Sequence, residues 1–492
     1  MSFPALAATR TASAATARTA ATPSLAPAPA APTVGAPLPV LGRDVRVPLA
    51  AGGEAGYAAL DYAASAPALQ RVWDDVAAYA PYYASVHRGA GRLSRLSTDL
   101  FENARRTVAG FLDCRDTDQV VFTRSTTDSL NLLAAALPAD CRVLVFESEH
   151  HAALLPWRHA RVTVLDAPRG PRQAVRTLER ALAEDGRPGP VLVCVTGASN
   201  VTGELWPVRE LAAAAHAHGA RIVLDAAQLA PHHPVSVRDL DVDWVAFSGH
   251  KLYAPFGAGV LAGRTDWLDA AEPYLAGGGA SRSVVRRADG AVHVEWRDGA
   301  ARHEAGSPNV IGAHAVASAC RALTAAGWDA LVAREQYLIG RVREGLAGVE
   351  QVRLLSQFGA DAPRVGVLSF VVAGWDGSEL AAALSDEYGI GVRDGLFCAH
   401  PLVRLLLGGG SGVPGECGAE SPAGSLNAVR VSFGAGTPDE HLERFVRAVR
   451  ELARRGPAAA RPVPGNRPAP GNRPAPGNRP APADRPAAAD RP

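Results

Sequence analysis

Residues 221–251 read Arg221-Ile-Val-Leu-Asp225-Ala-Ala-Gln228-Leu-Ala-Pro-His-His-Pro-Val-Ser-Val-Arg-Asp-Leu-Asp-Val-Asp-Trp244-Val-Ala-Phe-Ser248-Gly-His250-Lys251. Two short runs, Arg221–Asp225 and Trp244–Ser248, are rich in β-branched and aromatic residues and read as strands. Both are continuously apolar rather than alternating, which marks strands covered on both faces, as in a parallel sheet. In an open sheet of that kind, ligands collect at the carboxyl ends of the strands. Asp225 closes the first strand, and Ser248, His250 and Lys251 close the second. The stretch therefore predicts both an α/β fold and one edge where chemistry gathers.

Position 251 also stands out by composition. Of fifty basic residues, forty-nine are Arg and one is Lys. Arg replaces Lys well as a surface charge or phosphate binder, but its guanidinium does not lose a proton to become a nucleophile. An amine that deprotonates and attacks a carbonyl is the service Arg cannot supply. Chance survival of a single lysine is the plainer alternative, and its neighbourhood has to decide between them.

Working outward, similar runs at Gln119–Thr123, Arg142–Phe146, Arg161–Leu165, Val191–Val195 and Ala258–Ala262 predict further strands. Helical patterns at Thr127–Leu137, Arg172–Glu184 and Pro207–His218 lie between several of them. This alternation predicts a mostly parallel sheet covered by helices. From Val310 the pattern changes to two long helices, Val310–Ala326 and Trp328–Leu346. Two strands (Val365–Val372, Ala428–Phe433) and a last helix at Pro438–Arg454 follow. The expected organisation is a large domain over 44–309, whose N-terminal segment is expected to pack on the small domain, and a smaller α+β domain over 310–455.

Both ends differ from this body. Residues 1–43 are Ala, Pro, Ser and Thr with a few Arg and no acid, too polar and small to offset the entropy of ordering. They read as a disordered tail, with an organelle transit peptide as the weaker option. Residues 456–492 contain a Pro-rich hexad repeat beginning at Arg461, which favours extended, solvated chain.

The formal net charge of +1 calls for neither nucleic acid nor an acidic membrane surface as partner. No run of about twenty apolar residues is free of charge or proline, so no membrane span is expected. The six cysteines are scattered and form no C-x-x-C pair. That argues against a zinc ribbon or a dithiol motif and for reduced thiols in the cytoplasm.

Several polar groups fall where a ligand would sit. Ser125, Thr126 and Thr127 follow a strand and open a helix, where free N–H groups suit a phosphate. His150 follows the Arg142–Phe146 strand. Taken singly, an Asp at a strand end or a Ser-Thr-Thr run is usually a helix cap. Together they supply an amine for an aldehyde, an acid for a pyridine nitrogen and a phosphate site, which are the needs of pyridoxal 5'-phosphate.

The blocks Asp225-Ala-Ala-Gln228 and Ser248-Gly-His-Lys251 resemble those of the cysteine desulfurase/selenocysteine lyase family, fold-type I pyridoxal-phosphate enzymes of the class V aminotransferase superfamily. The resemblance extends through Leu60-Asp-Tyr-Ala-Ala-Ser, Val86-His-Arg-Gly, Glu149-His-His-Ala, Ala198-Ser-Asn200-Val-Thr-Gly and Glu304-Ala-Gly-Ser-Pro-Asn, and covers roughly residues 55–455. It implies that Lys251 carries the cofactor and later moves protons, that Asp225 pairs with the pyridine nitrogen, and that Gln228 bonds the ring oxygen. His150 would stack on the ring, and Thr126, Thr127, Ser248 and His250 would bind the phosphate. Asn200 would lie near the ring oxygen or the substrate carboxylate, and Arg430, with Arg393 nearby, would hold that carboxylate. Ser307 stands where the family usually has Thr and would reach the phosphate of the other subunit, which implies a homodimer.

The block Gly391-Val-Arg393-Asp-Gly-Leu-Phe-Cys398-Ala-His-Pro-Leu resembles the family's catalytic cysteine segment. The resemblance implies that Cys398 takes sulfur from cofactor-bound cysteine, leaves alanine, and passes a persulfide to an acceptor protein. A thiol suits that step as a soft nucleophile near neutral pH, while packing as a small apolar residue is the alternative role. Two departures stand against the family pattern. Leu396-Phe397 replaces the usual His-His before the cysteine, and a Gly/Pro-rich insert at Gly408–Ser425, carrying Cys417, is longer than expected. A different reaction on an amino acid with the same cofactor (C–S lyase, epimerase or aminotransferase) therefore remains as the second reading.

Overall fold

The computed structural model describes residues 35–184, 188–408 and 427–457. The insert with Cys417, the Pro-rich repeat and most of the leading tail lie outside those residues. A seven-stranded sheet forms the centre, in the spatial order Gln119–Thr123, Gly259–Gly263, Trp244–Ser248, Arg221–Asp225, Val191–Thr196, Arg142–Phe146, Arg161–Leu165. The last five of these pair in parallel. For the four strands inside the edge strand Arg161–Leu165, which is mostly exposed, the pleat alternation explains why their runs are nearly all apolar. Val193, Ile222 and Val245 enter the core on one face, while Leu192, Val223 and Ala246 enter the core on the other.

The strand expected at Ala258–Ala262 begins one residue later and runs antiparallel to both neighbours. The ten residues between it and Ser248 are too few for a parallel crossover, so the chain turns back directly. Gly259 permits that return, since a Cβ there would lie 2.6 Å from the Ser125 backbone.

The second domain has a four-stranded antiparallel sheet in the order Val352–Leu354, Val367–Val372, Ala428–Ser432, Arg393–Gly395. Helices Trp328–Leu346, Gly377–Tyr388 and Asp439–Arg455 cover it. The last of these places Leu442, Phe445, Val449 and Leu452 on one buried stripe against Phe370 and Val431.

Two expected boundaries move. Helix Val310–Ala326 packs into the large domain through Val316, Ala319 and Leu323, so the small domain begins near Gly327 rather than at 310. That helix is apolar around most of its circumference, and periodicity cannot say which core surrounds such a helix. At the other end, the body begins before residue 44. Leu38 N–H bonds the Ala435 carbonyl at 2.8 Å and Leu41 N–H bonds the Ala68 carbonyl at 2.9 Å. The chain then pairs Ala58–Ala59 in parallel with Ile390–Gly391 and bridges Asp61 to Ser432, tying the N-terminal segment to the small domain. Among the described residues, no single helix is long and apolar enough to cross a membrane.

Candidate active site

A pocket of about 220 Å³ opens at the carboxyl edge of the central sheet, between the two domains. Its floor holds Lys251 and Asp225, delivered by adjacent strands. Burial pushes the Lys251 amine down to about 8, with Asp225 pulling it back up and Arg430 lowering it further. Burial raises the Asp225 carboxyl, and the Ala227 N–H and the Lys251 charge oppose that rise. Asp225 Oδ1 accepts the Ala227 N–H at 2.9 Å, which fixes the carboxylate plane. Gln228 gives one amide proton to the Ala63 carbonyl at 2.8 Å, and its Oε1 is buried without a partner. A buried unsatisfied acceptor in a pocket wall requires a ligand or a cost.

His150 caps the short helix His151–Leu154, its Nδ1 accepting the Ala152 N–H at 3.0 Å. Burial, then the charges of Lys251, His151 and Arg430, push its pKa down to about 3. The ring is therefore neutral, and with Nδ1 accepting, its proton sits on Nε2. Ser125 caps helix Thr126–Ala135, and the Ser248 hydroxyl accepts the Thr126 N–H at 2.7 Å. Thr126 Oγ1 and Ser248 Oγ also lie 2.7 Å apart. This pins the helix end over the pocket. Thr127, the second helical residue, faces the pocket with an N–H that has no acceptor within the helix. His250 lines the same region, its ring pKa lowered by burial and by Lys251.

The opposite wall comes from the small domain. Arg430 donates to Asp61 Oδ1 at 2.9 Å and to the Asn200 carbonyl at 3.1 Å, while its Nε is buried and unpartnered. Its guanidinium lies 5.1 Å from the centroid of Phe397, a cation–π contact. Phe397 occupies one of the two positions where the family carries histidine, and here it forms an aromatic platform. Cys398 is exposed at the pocket rim, beside Arg393. Phe397 and Cys398 both have left-handed backbone, with φ of 51° and 53°. Two bonds hold this turn: Asn200 Nδ2 to the Phe397 carbonyl at 2.8 Å, and His151 N–H to the Cys398 carbonyl at 2.8 Å.

Most of the residues anticipated from sequence thus converge on one pocket: Lys251, Asp225, Gln228, His150, Thr126, Thr127, Ser248, His250, Asn200, Arg393, Cys398 and Arg430. Asn200 differs in detail, because its amide is committed to the cysteine turn. Ser307 does not line the pocket of its own chain and lies exposed before helix Val310–Ala326. Sequence reading missed Asp61 and Phe397 as partners of Arg430. Asp61 was visible only as part of the Leu60-Asp-Tyr block. Glu149 was also passed over. It is fully buried near Asp225, with Oε1 accepting the Thr196 N–H at 3.0 Å and its carboxyl raised well above the usual range by burial.

A partly buried amine beside a buried carboxylate, an orphaned amide oxygen and a helix start that presents the Thr127 N–H fit pyridoxal phosphate. Fold and site together define a pyridoxal-phosphate-dependent enzyme. The class-V aminotransferase model matches residues 58–445, and the chain belongs to that family. A probable cysteine desulfurase from Aeropyrum pernix is 38% identical over 415 residues, covering 81% of this chain and 95% of that one. A cysteine desulfurase from Pectobacterium atrosepticum is 35% identical over 408 residues, covering 80% and 93%. Among solved structures, the apo cysteine desulfurase from Thermococcus onnurineus NA1 superposes with a TM-score of 0.70 at 31% identity, covering 81% of this chain and 95% of the other. The cysteine desulfurase CsdA (S-sulfonic acid) from Escherichia coli gives 0.67 at 29% identity, also covering 81% and 95%.

Proposed function

We propose that this chain is a cysteine desulfurase that converts L-cysteine to L-alanine and carries the sulfur as a persulfide on Cys398. The observation that carries the reading is the placement of an exposed thiol at the rim of the pocket whose floor holds Lys251 and Asp225. The two relatives described above, named for the same reaction, are covered over 93% and 95% of their own length.

When bound, pyridoxal phosphate supplies an aldehyde for the amine and a protonated ring that withdraws electrons from the substrate α-carbon. Lys251 holds the aldehyde and, once released, moves protons at that carbon. Asp225 keeps the ring nitrogen protonated. His150 covers the ring as a neutral imidazole, and Thr126, Thr127, Ser248 and His250 hold the phosphate. Arg430, with Arg393 beside it, holds the α-carboxylate, using the guanidinium protons that Asp61 and the Asn200 carbonyl leave unpaired. The Cys398 thiolate attacks the substrate sulfur, forming an S–S bond as the C–S bond breaks. The electron pair of that bond leaves with the three-carbon fragment, which takes a proton to become alanine. An acceptor protein then takes the sulfur from Cys398. The exposed position of Ser307 supports a homodimer in which Ser307 serves the partner's phosphate, and reduced thiols fit a cytoplasmic setting.

The test is alanine and sulfide production from cysteine with a reductant. Wild type is expected to be yellow and active, and Cys398→Ala to keep its colour and lose sulfide release by about a hundredfold or more. Full activity in that variant would favour the second reading, a C–S lyase or related reaction. Phe397 in place of histidine is the observation behind that alternative.

A further inference from the structure

The turn that carries Cys398 lines the cofactor pocket through Phe397 and Cys398. Just beyond it the ring of His400, the first residue of helix His400–Leu407, stands with its centroid 4.5 Å from that of His151 in an edge-on contact. Neither imidazole lines the pocket that Cys398 lines. His151 also bonds the Cys398 carbonyl through its N–H, so the pair is fixed to the nucleophile's own backbone. His400 is exposed and His151 partly so.

We propose that His400, steadied by His151, is the base for the second half of the reaction, discharge of the Cys398 persulfide to an incoming thiol. The proposal rests on the reading of Cys398 as persulfide carrier. His400 takes the proton of the acceptor thiol. The resulting thiolate attacks the terminal sulfur, a new S–S bond forms on the acceptor, and the old S–S bond breaks with its electron pair on Cys398. The proton held by the imidazole then returns to the Cys398 thiolate. No electrons are gained or lost overall, and the imidazole ends as it began.

Titratable or charged groups on the elements that meet here are His150, Arg393, Asp394, Cys398, Arg404 and Arg353, which donates to the Leu406 carbonyl at 3.1 Å. Among the described residues, neither His151 nor His400 forms an ion pair with a carboxylate. Burial and the neighbouring His400 lower the His151 pKa, which keeps that ring neutral near pH 7. Cys398 and His400, two residues apart, are both exposed, so each is open to a thiol arriving from solvent.

The test separates the two half-reactions in the holoenzyme. One equivalent of cysteine loads the enzyme, alanine is counted, and the Cys398 persulfide is read by intact mass. The loaded enzyme is then mixed with 2-mercaptoethanol across a range of pH. His400→Gln is expected to form alanine and persulfide at the wild-type rate, which also reports a folded protein. Its discharge is expected to slow by about a hundredfold or more at neutral pH, the lower end of general-base assistance. The deficit is expected to vanish as pH approaches the thiol's own pKa, and added imidazole is expected to restore the rate in His400→Ala. Unchanged discharge, or slowing by the same factor at every pH, overturns the role of His400 while leaving Cys398 as carrier. Absence of persulfide on wild-type Cys398 overturns the underlying reading and this inference with it.

Discussion

Lys251 sits between opposing influences, and its behaviour with pH follows from their balance. Burial lowers its pKa from the ordinary value of 10.5 to about 8, against the pull of Asp225. A lowered lysine pKa means the reactive, neutral amine is reached at lower pH. At pH 7 about a tenth of the amine is unprotonated, against a few parts in ten thousand for an ordinary lysine. Capture of pyridoxal phosphate by the cofactor-free enzyme is therefore expected to quicken about tenfold per unit up to pH 8 and then level off. Stopped-flow absorbance would show this, and a rate still climbing steeply at pH 10 would contradict it. The importance of this residue was legible in sequence, because Arg had replaced lysine everywhere else. The Asp61–Arg430 pair was not, since 369 residues separate its members and neither strand pattern nor motif spacing encodes that meeting.

At the scale of elements, the loop Ala198-Ser-Asn200-Val-Thr-Gly203 joins the central sheet to the cysteine turn and to the small domain. Asn200 holds the Phe397 carbonyl, and Gly203 accepts the Val365 N–H at 2.9 Å. Gly203 has φ of 74°, and a Cβ there would run into the Val365 and Val367 carbonyl oxygens. Gly203→Ala is accordingly expected to cost about 3 kcal/mol, from backbone strain and from displacing the neighbouring strand. Urea denaturation measures this, and a loss under about 1 kcal/mol would show that the loop yields freely. Most central strands were readable to within a residue because burial on both faces writes itself as unbroken apolar runs. The hairpin Ser281–Arg286/Val292–Trp296 was missed because its residues are mostly exposed and mix Arg and Glu with Val. The helices at Gln70–Tyr79 and Arg92–Phe111 were also passed over, though they bury clear stripes through Val72, Val76, Phe101 and Val108.

For the whole molecule, the decisive geometry is that the pocket draws its floor from one domain and its far wall from the other. A ligand that binds only the folded state stabilises it by mass action, and about 2.7 kcal/mol is expected at a hundred times the dissociation constant. Thermal unfolding with and without pyridoxal phosphate should show that gain, with Lys251→Ala showing a smaller one because the covalent anchor is gone. An unchanged midpoint in wild type would mean that the cofactor does not bind in this pocket. The sequence reading set a boundary at 310, whereas helix Val310–Ala326 packs on the core of the central sheet, because a helix apolar around most of its circumference does not say which core surrounds it. One practical consequence follows from the seat of Lys251. Apart from the chain's α-amine, this protein offers amine-directed labels a single target, and that target lies inside the catalytic cleft. Acylating reagents would therefore act as an occupancy gauge at Lys251, modifying empty enzyme and sparing loaded enzyme, while no surface lysine offers a handle for immobilisation.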